Sequence, residues 1–414
     1  MSSLQPVRGT HDILPEASRR HAHVVATARA IAERYGYGEI ATPIFEFTEI
    51  FKRTLGDTSD IVVKEMYSFQ DRGGDDITLR PEGTAGIARA VISGGLAQDL
   101  PLKYFYAGPM FRYERPQKGR LRQFHQFGVE LIGIAAPQAD IEVIALAAHT
   151  LQSLNVLDKT VLELNTLGDK ESRDAYREVL VGYLADHHAH LSEDSRMRLQ
   201  RNPLRVLDSK DLGDIGIVAG APLFPDYLTQ AAREFFATVC AGLDSLGIAY
   251  RINPRLVRGL DYYCHTAFEF TTDALGAQGT VLAGGRYDGL IAAMGGRDTP
   301  GIGWAAGVER LAMLVNEAPP APRPIAVVPA GEAMHELALR VTQDLRRAGF
   351  AADLGYSGNM GKRMKRANKI QARAAVILGE DELSRGAATV RDLDSGEEQE
   401  VPLAALKDRL VRFR

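Results

Sequence analysis

Residues 108–130 constrain this chain more than any other segment: their two ends read as strands, joined by a basic loop at residues 115–120. In the second strand, period-2 alternation puts Phe124, Gln126, Gly128 and Glu130 on one face and His125, Phe127 and Val129 on the other. A face carrying an aromatic ring, an amide and a carboxylate, opposite a strand that bears Arg112, is not ordinary core. Those groups suit a site that stacks a flat ring, grips a phosphate and reads a small polar ligand. A second charged segment, residues 255–263, carries Arg258, Tyr262 and Tyr263.

With 414 residues the chain is long enough for two or three domains, each with its own core. A content of 45% hydrophobic and 25% charged residues is that of a soluble globular protein. No apolar run approaches membrane-spanning length, and the first residues lack a signal-peptide pattern, so no membrane partner is expected. Cys240 and Cys264 have neither ligand spacing nor a disulfide framework, which fits a reducing cytoplasm. No metal-ligand set is read. His187, His188 and His190 are adjacent on a polar helix, cannot converge tetrahedrally, and have no cysteine near.

Four prolines within residues 319–324 mark a stiff linker, and the pattern changes there. Residues 323–414 read as strand, helix, strand, helix, strand, a small α/β domain. Residues 1–322 read as an α+β domain built on an antiparallel sheet with flanking helices. Its first helix carries Val24, Ala28, Ile31, Ala32 and Tyr35, and its strands are expected at 64–70, 76–80, 102–113, 122–133, 161–167, 263–272 and 279–284. A polar stretch from about 170 to 245 reads as a helical insertion. Net charge is −4, yet residues 323–414 hold 16 Lys and Arg against 13 Asp and Glu. The excess concentrates in residues 359–373, with six positive charges and no acid, equally a solvated helix face or a nucleic-acid contact.

Short patterns need weighing. Residues 301–306 match G-x-G-x-x-A, but a polar loop precedes them and no acidic residue follows a second strand, so dinucleotide binding is set aside. The glycines are instead expected to let a helix N-terminus pack closely on a strand, presenting Arg310. Gly361-Lys362 fails as a phosphate loop, because Arg363 stands where Ser or Thr must hold magnesium. Residues 80–84 lie at a strand-to-helix junction, where Glu82 suits the positive end of the helix dipole. The same carboxylate, with the Thr84 hydroxyl, also suits an α-ammonium group.

Taken together, these segments resemble the class II aminoacyl-tRNA synthetases, and within them the histidyl-tRNA synthetases, over almost the whole chain. The three class motifs are matched by residues 40–46 with their preceding helix, by 111–124, and by 303–310. Residues 79–84, 115–120 and 258–263 match what is specific to the histidine enzymes, and residues 323–414 resemble their anticodon-binding domain. The resemblance implies activation of L-histidine with ATP, transfer to the 3′ end of tRNA(His), and a homodimer formed through the first motif. Activation attacks phosphorus with a carboxylate already ionised at neutral pH, so it needs alignment and positive charge rather than a base.

Carried over by position, Arg112 and Arg258 hold the α-phosphate. Arg310 meets the γ-phosphate and covers the adenine opposite Phe124, Arg120 assists the terminal phosphates, and Mg²⁺ accompanies ATP. Glu130 and Tyr263, with Tyr262 beside them, take the imidazole. Glu82, Thr84 and Gln126 take the amino end, while Arg112 and Arg258 also face the amino acid. Two departures stand out: Tyr113 follows the second-motif arginine where many members have histidine, and Cys264-His265 replaces a more usual polar-basic pair. Alternation puts His265 on the face of Tyr263, which would alter the imidazole pocket. The regulatory subunit of ATP phosphoribosyltransferase shares the resemblance, but retention of Arg112, Arg258, Arg310 and a full C-terminal domain favours the charging enzyme. A plain RNA-binding protein would leave Glu82, Glu130 and Tyr263 unexplained.

Overall fold

The structure is a computed structural model describing residues 4–56, 59, 61–209, 211–257, 262–316 and 319–414. It divides into two compact units, Met1–Pro319 and Pro320–Arg414. Strands of the first unit are β1 (Gly38–Glu39), β2 (Phe45–Phe47), β3 (Tyr67–Gln70), β4 (Asp76–Leu79), β5 (Leu102–Phe111), β6 (Gln123–Ile132), β7 (Val161–Thr166), β8 (Arg251–Ile252), β9 (Cys264–Thr271), β10 (Thr280–Arg286) and β11 (Gly301–Gly307). Its helices are α1 (Pro15–Arg34), α2 (Thr48–Leu55), α3 (Thr84–Ser93), α4 (Pro137–Ser153), α5 (Lys170–Asp186), α6 (Glu193–Arg201), α7 (Leu212–Ala219), α8 (Gln230–Ser245), α9 (Leu290–Ala293) and α10 (Val308–Leu314).

Eight strands form one sheet in the order β1-β5-β6-β11-β10-β9-β7-β8. It is antiparallel except at its edges, where β1 pairs β5 and β7 pairs β8 in parallel. The long β6 is central, with Glu130 opposite Tyr104 of β5 and Gly303 of β11. The expected alternation holds. Phe127 and Val129 enter the main core with Val24 and Ala28 of α1, Val143 and Leu146 of α4, and Trp304. Phe124 and Gln126, on the opposite face, border a cavity. Pro15 at the first turn of α1 suits a position whose N–H would be unpaired anyway.

Residues 301–307 overturn the expectation of a helix N-terminus packed on a strand: they are themselves a strand, and the helix begins only at Val308. The run lacks polar alternation because both of its faces are covered, so period-2 patterning is silent. Gly303 is required by close approach, since a Cβ there would overlap the Glu130 carboxylate and the Val129 carbonyl.

Between α5 and α8 the described residues form helices and 3-10 turns around a small separate core of Tyr176, Leu180, Leu184, Val206 and Phe224. The helix starts carry side-chain caps: Asp169 for α5, Ser192 for α6, Asp211 for α7 and Thr229 for α8. The second half of α8 leaves that core, and Val239 and Leu243 pack into the main one.

The second unit contains β12 (Ile325–Pro329), α11 (His335–Arg347), β13 (Ala352–Leu354), α12 (Met360–Lys369), β14 (Ala374–Leu378), β15 (Ala387–Asp392) and β16 (Glu398–Pro402). Its sheet runs β13-β12-β14-β15-β16, parallel over the first three strands and antiparallel thereafter. The last two strands were not legible in the sequence, because β16 exposes Glu398, Gln399 and Glu400 and shows no apolar period. The basic segment divides its charges. Arg363 turns inward to the Pro329 carbonyl and His335, Arg366 pairs with Asp353 at 2.9 Å, and Lys362, Lys365 and Lys369 stay exposed.

Candidate active site

A cavity of about 210 Å³ opens on the sheet face opposite α1 and α4. Its lining includes Glu82 and Thr84 from the β4–α3 junction, Phe124 and Gln126 from β6, Arg112 and Arg120 from the loop between β5 and β6, Tyr262 and Tyr263 before β9, and Arg310 on α10. Segments scattered over more than 200 residues thus meet at one wall, as the sequence reading expects of these nine residues. Arg258 lies outside the described residues.

Glu130 stands one layer below the wall. It is 1% exposed, and two lining residues hold it: Thr84 Oγ1 donates to Oε1 at 2.7 Å, and the Tyr287 phenol donates to Oε2. Burial pushes its carboxyl up to about 8, although those two hydroxyl hydrogen bonds pull the other way. The described partners of its oxygens are hydroxyls, not arginines, so a structural ion pair with Arg112 is not what holds it. Tyr287 is the residue that sequence reasoning missed. It lies just past the end of β10, where alternation no longer applies, and its only local signal is the Arg286 and Asp288 pair around it. That pair is structural: Arg286, fully buried, joins Asp140 and Asp288 and fixes the turn that carries Tyr287.

At the junction before α3, the two Glu82 oxygens accept the amides of Thr84 at 2.7 Å and Ala85 at 2.8 Å. The helix-start role is therefore real, and Glu82 still lines the cavity. Burial raises its carboxyl, while the amide bonds and Arg112 oppose that. Gln126 Oε1 is buried without a hydrogen-bond partner, an acceptor left unsatisfied on the cavity wall.

The other end is cationic. Arg112 donates from Nε to the Pro81 carbonyl at 2.9 Å, and its guanidinium carbon lies 5.3 Å from the Phe124 ring centroid. Arg310 donates to the carbonyls of Gly119 and Thr280, which pins the loop between β5 and β6 to β10. Arg120 reaches the cavity but is ion-paired with Glu114.

Both departures fall outside the ligand wall. Tyr113 is exposed, with the Arg122 guanidinium 3.7 Å over its ring. His265 corrects the alternation argument. The β9–β10 register slips between Gly285 and Arg286, His265 takes a left-handed φ of 44°, and its ring stacks on Phe235 at 4.7 Å. One step on β10, from Arg286 to Gly285, spans three on β9, from Cys264 to Ala267, and this bulge with its left-handed residue swings His265 against Phe235 of α8 while Tyr263 and Ala267 keep a common cluster.

Comparison with known proteins agrees with this arrangement. Residues 9–311 match the histidyl-tRNA synthetase family, and residues 324–412 match the anticodon binding domain. The chain is 64% identical over 414 residues to a histidine–tRNA ligase of Rhodospirillum rubrum, covering 100% of both chains. It is 60% identical over 411 residues to one of Gluconacetobacter diazotrophicus, covering 99% of each. The crystal structure of apo histidyl-tRNA synthetase from S. aureus superposes with a TM-score of 0.83 at 34% identity, over 98% of this chain and 99% of that one. Fold, cavity and sequence converge: the chain belongs to the histidyl-tRNA synthetase family.

Proposed function

We propose that this chain condenses L-histidine with ATP to histidyl-adenylate and pyrophosphate, then transfers the histidyl group to the 3′ end of tRNA(His). One observation carries the reading: a single cavity has carboxylate, amide and phenol groups at one end and arginines around an aromatic ring at the other. The α-ammonium group of histidine fits between Glu82 and the unsatisfied Gln126 oxygen, with Thr84 beside them. The imidazole is read by Tyr263 and by Tyr287, the latter held by Glu130, with Tyr262 packed on Tyr263 at 4.6 Å. A pocket whose polar groups need partners rejects analogues that cannot hydrogen-bond by ~10⁴–10⁵.

Adenine stacks between Phe124 and Arg310, and Arg112 takes the α-phosphate, where charge accumulates as pyrophosphate leaves. Arg258 is assigned there by resemblance alone. Arg120 engages the terminal phosphates once it exchanges Glu114 for them. Magnesium would accompany ATP and supply further positive charge at its phosphates; of the wall carboxylates, Glu114 and Glu309 are engaged by Arg120 and His125, and Glu82 by backbone amides.

The second unit is assigned to the anticodon, with the exposed lysines of α12 as phosphate contacts. A homodimer is proposed through the β2-β4-β3 sheet, whose Phe45, Phe47 and Phe69, with Ile44 just before β2, are exposed on the described chain. A cytoplasmic location fits the two free cysteines, and no helix among the described residues is long and apolar enough to cross a membrane. Histidine-dependent exchange of labelled pyrophosphate into ATP, followed by charging of tRNA(His), tests the reading; exchange without dependence on histidine would refute it.

A further inference from the structure

Beside the cavity, His21 of α1 and His125 of β6 converge with Glu309 of α10, which also borders the cavity. One donor atom from each lies within 4.8 Å of the others, and all three side chains are partly buried. Among the described residues this is the group of three or more His, Cys, Asp or Glu that comes so close together. It escaped the sequence because its members are far apart along the chain and none has a ligand-spaced neighbour.

We propose that His21, His125 and Glu309 form a binding site for a borderline transition-metal dication, Zn²⁺ foremost, that ties α1, β6 and α10 together. Two imidazoles and one carboxylate are a donor set that zinc accepts, with water completing the tetrahedron. At metal–ligand lengths of about 2.0–2.2 Å, donors stand roughly 3.3 Å apart. The present pair of His125 Nδ1 and Glu309 Oε1 is 2.8 Å apart and all three donors lie within 4.8 Å, so closure needs side-chain adjustments of up to about 1.5 Å. Both Glu309 oxygens accept the His125 backbone N–H at 3.0 Å. One oxygen can therefore turn to the metal while the other keeps the amide satisfied and orients the carboxylate, the second partner that metal ligands ordinarily need.

His11 is a further exposed imidazole close enough to His21 to interact with it. The consequence is a cross-link between the helix preceding the first class motif and elements of the second and third. A metal bound only by the folded chain raises its thermal midpoint by mass action.

The site is tested on the full, untagged chain by titration with CoCl2, read in the visible d–d bands, and with ZnCl2 by calorimetry. The wild type is expected to bind one Co²⁺ with a tetrahedral or five-coordinate spectrum and to gain thermal stability with Zn²⁺. His21→Ala and His21→Gln should both lose at least tenfold in affinity and lose the thermal gain, while keeping pyrophosphate exchange measured with Mg²⁺ and no added transition metal. Equal binding by wild type and both His21 variants overturns the proposal. So does loss of binding in a His187→Ala/His188→Ala variant, which would move the metal to the exposed histidines of the insertion. A weak octahedral spectrum like that of aqueous Co²⁺, or no binding at all by the wild type, overturns it as well.

Discussion

Thr84 and Glu130, 46 residues apart in sequence, meet through a 2.7 Å hydrogen bond in which the threonine hydroxyl donates to Oε1. The other oxygen accepts from Tyr287, so one buried carboxylate sets the direction of two hydroxyls on the cavity wall. The cavity ends proposed to take the amino group and the ring of histidine are thereby coupled. Losing one donor leaves a buried acceptor short of a partner, at a cost of about 1–3 kcal/mol.

Tyr287→Phe removes one donor and keeps the ring. We expect histidine to bind about tenfold more weakly, the equivalent of about 1.4 kcal/mol, with ATP binding nearly unchanged. Separate dissociation constants for the two substrates check this, and equal losses for both would point to a general disturbance of the cavity.

Glu130→Gln tests the carboxylate itself. Histidine binding should weaken sharply while ATP binding is kept; a loss confined to ATP would remove Glu130 from histidine recognition. The same variant has a pH signature. Burial raises the folded-state carboxyl from 4.5 to about 8, so the folded chain keeps a proton that the unfolded chain releases. The stability that this contributes is fully present below 4.5 and is lost as pH rises through about 8. Without histidine, the thermal midpoint of the wild type should fall relative to Glu130→Gln between pH 5.5 and 8 (pH values about those of the window). A constant difference across that window contradicts the burial argument.

Arg112→Ala removes the guanidinium opposite the developing charge on the α-phosphate. Activation should slow by ~10² or more with the fold intact, by analogy with loss of one oxyanion donor. Pyrophosphate exchange near the wild-type rate would rule out this role.

A chain ending at Asn316 keeps the whole cavity and removes the second unit. It should retain histidine-dependent exchange and lose most tRNA charging. Full charging by a folded, truncated chain would refute the assignment of the second unit to tRNA.

Sedimentation should find two copies per particle at micromolar concentration. Replacing Phe45 and Phe47 together by serine should shift the particle toward one copy, because both rings are half exposed on the described chain and belong to the proposed interface. A wild-type monomer would end that proposal.

The sequence by itself determined what is local. Alternation in β6 sorted Phe124 and Gln126 from Phe127 and Val129, because side chains on a strand must point to opposite faces. The proline run at 319–324 and the change of pattern after it announced a second unit, and the arginines of fixed charge that the sequence singled out, Arg112, Arg120 and Arg310, do line one cavity. Tertiary structure decided what depends on contacts between distant segments. It put Glu130 beneath the wall instead of on it, supplied Tyr287 as its partner, and paired Arg120 with Glu114. It made residues 301–307 a strand, since a glycine-rich run buried on both faces has no period to read. It turned His265 toward Phe235, because a bulge with a left-handed residue breaks the alternation locally and bulges arise from pairing with a neighbour. Local pattern follows from covalent geometry, whereas partners, burial and register follow from which strand lies next to which.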